Sequence, residues 1–196
     1  MNWLAHLRLA PADPLVRIGN LAGDFVQGVE LATLHPAIRL GVAQHRAVDV
    51  FVDAHPATRR ARARLAPRFR RFGGVLVDVF FDHFLAAGWD RLGDGSALRD
   101  FADTIHAQLR EHTALLPPRL AEVLPWMQQQ QWLVSYADLA GIDAVLERMA
   151  RRVSRPSPLA EGGQALRDLH RELGGDFAAL WPDLERRAGD LDQRGG

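Results

Sequence analysis

Cysteine and lysine are both missing from this chain of 196 residues. Without thiols there is no disulfide, no thiolate nucleophile and no zinc–thiolate site. All 24 basic residues are arginine, so Schiff-base and P-loop lysine chemistry is excluded as well. Net charge is lacking too: 24 acids balance the 24 arginines, which argues against a surface tuned throughout to nucleic acid or anionic lipid. No uninterrupted apolar run approaches the roughly 20 residues that span a bilayer. The apolar start has no charged leader segment and is cut short by Pro11, Asp13 and Pro14. A soluble, cytoplasmic protein with no signal peptide and no membrane or nucleic-acid partner is expected.

What is present points to helices. The length and the 47% hydrophobic content suit one domain over 1–196, with 190–196 as a frayed tail. Strand signals are scarce. Residues 2–9 form a short apolar helix; Pro14 opens a second that stops at Gly28, and Pro36 a third that ends at Asp53 or Ala54. His55-Pro56 restarts the chain as an arginine-rich helix. A long apolar segment runs from about Phe69 to Trp89, and Ser96 is the expected N-cap of a helix to about Leu115. A Pro- and Gly-rich stretch from Ser154 to Gly163 precedes a last helix from about Gln164 to Arg187, broken at Pro182. The fold class is all-α, an orthogonal bundle of roughly seven to nine helices.

Two clusters carry the chemistry. In the apolar run Val75–Leu85, Asp78 and Asp82 are spaced by four, so both project from one face of a largely buried helix, with His83 about 100° further round. Buried carboxylates are costly unless paired or bound to a cation. The bland alternative is a pair of core acids bridged to arginine. The second cluster places His45, Asp49 and, more weakly, Asp53 at successive i+4 steps, although Asp53 also stands where an N-cap belongs and His45 with Asp49 also fits a solvent-facing pair. Asp24 and His6 lie in apolar settings, where each is equally readable as a satisfied core residue. His55 reads as structural, and His35, His106, His112 and His170 as loop or solvated-face residues.

Taken together, Asn2-Trp-Leu-Ala-His6-Leu, Gly19-Asn-Leu-Ala-Gly-Asp24-Phe-Val, His45-Arg46-Ala-Val-Asp49, Asp78-Val-Phe-Phe-Asp82-His83 and Gln131-Trp132-Leu-Val-Ser-Tyr136 resemble the acyl carrier protein phosphodiesterase family. Arg8 departs from it, standing where the family often has a second histidine. The resemblance implies an HD-domain-like helical fold and release of the 4'-phosphopantetheine arm from a serine of holo-acyl carrier protein. It also implies manganese as activator, with magnesium or iron possible for hard and borderline ligands.

Under that resemblance the metal ligands are expected to be Asp24, Asp78, Asp82 and His83, with His45 and Asp49 as further ligands or as base and orienter. His6 or His45 would protonate the leaving serine oxygen, and Arg46 would clamp a non-bridging phosphate oxygen. Seven arginines and no acid between Arg59 and Arg71 suggest a docking face for an acidic carrier protein, with Arg60, Arg64, Arg68 and Arg71 as its contacts. Two other readings remain open. One is an HD-type phosphohydrolase of a nucleotide or other small phosphate ester; the other is a non-catalytic helical binding module.

Overall fold

Prolines set where the helices begin. In the computed structural model, which describes residues 1–153 and 156–195, Pro14, Pro36, Pro56 and Pro118 each occupy a first helical position, where the absent N–H costs nothing. Three of these starts are capped by the residue just before the proline. Asp13 accepts from the Val16 N–H, while His35 and His55 accept through Nδ1 from the N–H of Ala37 and Ala57. His55 therefore takes the capping role that the sequence offered to Asp53.

The described residues form helices and short 3-10 turns without any strand, an all-α fold. The helices are α1 (Trp3–Leu9), α2 (Pro14–Ala22), α3 (Pro36–Ala54), α4 (Pro56–Phe69), α5 (Gly73–Ala87) and α6 (Trp89–Leu92). They continue as α7 (Leu98–Glu111), α8 (Pro118–Gln129), α9 (Trp132–Ser135), α10 (Leu139–Arg152), α11 (Gly162–Asp168) and α12 (His170–Gly195). The α2 helix stops short of Gly28, giving way to a 3-10 turn at Gly23–Phe25. Ser96 does not cap α7: its hydroxyl and N–H both go to Asp94, and Ala97 holds the cap position without a side-chain acceptor. The chain does not break at Pro182, and α12 runs on through most of the segment expected to fray. Of the loop expected from Ser154, the residues Ser154 and Arg155 lie outside the described residues, as does Gly196.

The core is built around α5. Leu76, Val77, Val79, Phe80, Phe81 and Leu85 are fully buried, and α1, α4, α10 and α12 pack against this helix. Complete burial of one such side chain stabilises the fold by roughly 1.5–3 kcal/mol. Helices α2 and α3 touch backbone to backbone at Gly19 and Gly41. A methyl group on Gly19 would lie 2.2 Å from the Ile38 carbonyl oxygen, and one on Gly41 would lie 2.1 Å from that of Val16. That approach carries the C-terminal end of α2 to the side chain of His45 on α3. No described helix is long and apolar enough to cross a membrane.

Candidate metal centre

Three elements bring four titratable side chains together. His45 and Asp49 project from one face of α3, His6 comes from α1, and Asp24 from the 3-10 turn that follows α2. Nε2 of His6 and Nε2 of His45 each lie 3.1 Å from a different oxygen of Asp49. The two rings stack with centroids 3.9 Å apart. Asp24 stands 3.6 Å from Nε2 of His45 and accepts from the indole N–H of Trp3 at 2.9 Å. Gly23 leaves room for the His45 ring, since a methyl group there would sit 2.2 Å from its Cδ2.

The ring nitrogens of His45 decide what this arrangement can hold. Nδ1 lies 2.8 Å from the carbonyl oxygen of Asn20, which can only accept, so Nδ1 carries a hydrogen. Asn20 is itself fixed by bonds from its amide to Gln44 and to the Val16 carbonyl. In a neutral ring Nε2 is then a lone pair, yet it faces carboxylate oxygens of both Asp24 and Asp49. Acceptors turned on one another in this way need positive charge between them, either a proton or a cation. A histidine whose other nitrogen is committed to a backbone carbonyl is also the usual form of a metal-binding histidine.

The electrostatics agree with this. Burial pulls His45 down, but its bonds to Asp24 and Asp49 more than reverse that and raise it to about 9. Burial likewise opposes ionisation of Asp49, but His45, His6 and the Met1 amine hold its carboxyl well below the usual range. Burial lowers His6 to about 4 despite Asp49, so its ring is neutral, the form a metal binds. His6, His45 and Asp49 offer ligand atoms within 4.8 Å of one another, a group able to hold a divalent metal ion. The donor set of nitrogen and oxygen, with no sulfur, fits such an ion.

The other residues expected from the sequence lie elsewhere. Asp78 is at the edge of the centre, 3.1 Å from the Met1 amine, which also approaches Asp49 at 3.5 Å. Asp82 is not brought to the cluster. Fully buried, it accepts from the N–H of Leu4 at 2.7 Å and of Ala5 at 3.3 Å, and so caps α1 from a different helix. Asn2 is free of that duty and donates to the Tyr136 hydroxyl. His83 also points away: its Nδ1 meets the Tyr136 carbonyl oxygen, and its ring packs against Phe84 and His170. Arg46 is exposed. Arg8 binds the Leu92 carbonyl and Glu185, fastening α1 to distant segments.

Of the expected docking arginines, Arg60 and Arg64 share the buried carboxylate of Asp176, and Arg68 pairs with Glu161. Arg71 stacks over Phe72 and lines a cavity of about 390 Å³ beside the metal centre. Three residues that sequence reasoning passed over also matter here. They are Trp3, which fixes Asp24; Asn20, which fixes His45; and Arg62, which lines the same cavity.

Comparison with known proteins fits this geometry. A family model described as acyl carrier protein phosphodiesterase matches residues 1–184. The proteins of that name from Photorhabdus laumondii subsp. laumondii and Serratia proteamaculans are 34% and 35% identical to this chain. Those matches span 98% and 97% of it, and 97% and 98% of the two relatives. The protein of the same name from Escherichia coli O157:H7 is 35% identical over 92% of this chain and 90% of its own length. No solved structure matches the chain. A match running from the first residue to Leu184, with relatives of this identity along nearly their whole length, shows that the chain belongs to the acyl carrier protein phosphodiesterase family.

Proposed function

We propose that this protein is a metal-dependent phosphodiesterase that releases 4'-phosphopantetheine from the serine of holo-acyl carrier protein, leaving the apo form. The substrate comes from the family and its relatives. The observation that supports metal dependence is the committed Nδ1 of His45, which leaves Nε2 turned towards two carboxylates. We assign His45, Asp49 and Asp24 to hold the metal, with His6 beside them and Asp78 at the rim. Manganese is the favoured ion, on the sulfur-free donor set and the family resemblance.

A divalent cation, when bound, supplies charge neutralisation at the phosphodiester and lowers the pKa of water. The protein's own groups do the rest. Asn20 fixes the tautomer of His45, and Trp3 fixes the rotamer of Asp24. His6, whose neutral ring is fully buried with Nε2 on Asp49, is assigned to orient that carboxylate, and the departing serine oxygen takes its proton from solvent at the cavity mouth.

The arginine face remains the docking surface of choice for an acidic partner. Among the described residues its seven arginines pair with Asp53, Asp176 and Glu161, which leaves an excess of positive charge. Arg68, Arg70 and Arg71, with Phe69 and Phe72, line a surface cavity of about 470 Å³, and Arg71 joins it to the cavity of the metal centre. The test is to incubate the protein and manganese with holo-acyl carrier protein and with a nucleotide panel, following products by mass spectrometry. Loss of one phosphopantetheine from the carrier is expected. Hydrolysis of nucleotides with the carrier untouched would overturn the substrate assignment.

A further inference from the structure

The cavity beside the metal centre poses an electrostatic problem for any phosphodiester. Asp24, Asp49, Asp53 and Asp78 all line it, against the Met1 amine, already engaged by Asp49 and Asp78, and the side-chain cations Arg62 and Arg71. An anionic substrate entering four carboxylates is repelled unless cations are held in place to receive it. Arg71 is exposed and lies over Phe72 at the outer edge.

Arg62 is built in more firmly. Its side chain is 35% exposed, with Nη2 on Asp53 Oδ1 at 2.5 Å. The guanidinium lies against Gly74, where an added methyl group would stand 3.4 Å from Nη2 and 3.6 Å from both Cζ and Nε. Gly74 is one helical turn before Asp78 on α5, so the guanidinium sits over the start of that helix on the Asp78 side. Nε is shielded from water and has no partner among the described residues. A guanidinium has five N–H donors, and here one carboxylate holds a single corner. Such a group is fixed in position while its bonding capacity stays largely unused.

We propose that Arg62 binds a non-bridging oxygen of the substrate phosphodiester, with Asp53 as the positioning residue that holds it over Gly74. The Arg59–Arg71 run thereby has two functions, docking along its outer face and phosphate binding at Arg62. This is the role the sequence offered to Arg46, which sits next to His45 in the chain but outside this cavity. The inference rests on the phosphodiester reading of the site, and its test does not need the carrier protein.

The experiment is calorimetric titration of the manganese-loaded protein with inorganic phosphate, together with phosphate inhibition of turnover. Arg62→Met is expected to weaken phosphate binding about ten- to a hundredfold, the range for loss of a charge-assisted contact. Manganese content should not change, because no metal ligand is altered. Arg62→Lys, which keeps the charge and loses the planar fork, should weaken binding about threefold to tenfold. Asp53→Asn leaves Arg62 charged but unclamped; it should raise the phosphate dissociation constant by a similar factor, with Asp53→Glu restoring part of the loss. If Arg62→Met fails to fold, Arg62→Lys carries the test. Unchanged phosphate binding in a folded, manganese-loaded Arg62 variant would overturn the assignment. Arg62-dependent phosphate binding by a protein that leaves holo-acyl carrier protein intact would retain the anion site and refute the substrate.

Discussion

Replacing Asp82 by asparagine separates scaffold from chemistry, because the residue is a buried cap of α1 and not part of the metal group. Burial pushes its carboxyl up to about 7, against the amide bonds from Leu4 and Ala5 and the Met1 amine, which favour the charged form. In the unfolded chain an aspartate titrates near about 3.9. The folded protein therefore binds this proton more tightly than the unfolded chain does. Stability from this group is full below about pH 4 and is lost as pH rises to about 7. At about 1.36 kcal/mol per pH unit the loss comes to roughly 4 kcal/mol. Asparagine does not titrate, but its Nδ2 faces the N–H of Leu4 or of Ala5, which costs about 1–3 kcal/mol at every pH.

In metal-free protein the variant should thus be the less stable form at pH 4.5 and the more stable one at pH 8. Urea unfolding of both proteins across that range is the assay. Other titrating groups are common to the two proteins and cancel in the difference. The manganese affinity of the variant should stay within a few-fold of wild type. A stability difference that does not move with pH would refute the burial argument, and a manganese affinity lowered by orders of magnitude would put Asp82 in the metal site.

Other substitutions probe the remaining contacts. Asp49→Asn, which disarms the carboxylate shared by His6 and His45, should weaken manganese binding by at least about a hundredfold, since even outer partners of a metal site are worth about 10–100-fold; calorimetry with manganese checks it. Arg68→Glu with Arg70→Glu should raise KM for holo-acyl carrier protein several-fold at low salt with kcat nearly unchanged, and the gap should close as salt screens the face; unaltered KM would move docking elsewhere. Asp176→Ala removes the buried partner of Arg60 and Arg64, both partly exposed and able to rehydrate, and should cost about 1–3 kcal/mol, or roughly 2–10 °C in Tm. A Tm equal to wild type would make that pair of bridges inconsequential.

The helical class was legible because it is local. Pro14, Pro36 and Pro56 mark helix starts by their own chemistry, and His45 with Asp49 share a face by spacing alone. Asp82 was not legible as a cap, since an acid in an apolar helix has the same local signature whether it binds a metal or the N–H groups of another helix. Only the placement of α1 across α5 decides between them. For the same reason Arg46, a neighbour of His45 in the chain, looked like the phosphate clamp, while Arg62 reaches the cavity through packing of α4 on α5. His35-Pro36 and His55-Pro56 did carry a signal for histidine caps, in their repeat. The i, i+4 spacing of Arg60 and Arg64 fitted one shared partner, but nothing in the sequence named Asp176, 112 residues beyond Arg64.

The central claim is that phosphodiester cleavage runs on a metal ion held at His45, Asp49 and Asp24. Its most direct test is release of phosphopantetheine from holo-acyl carrier protein by chelator-treated protein into which manganese is titrated back, with bound metal measured alongside. No release in chelator is expected, with recovery that saturates as bound manganese does. Full release in excess chelator by protein carrying no metal would contradict it.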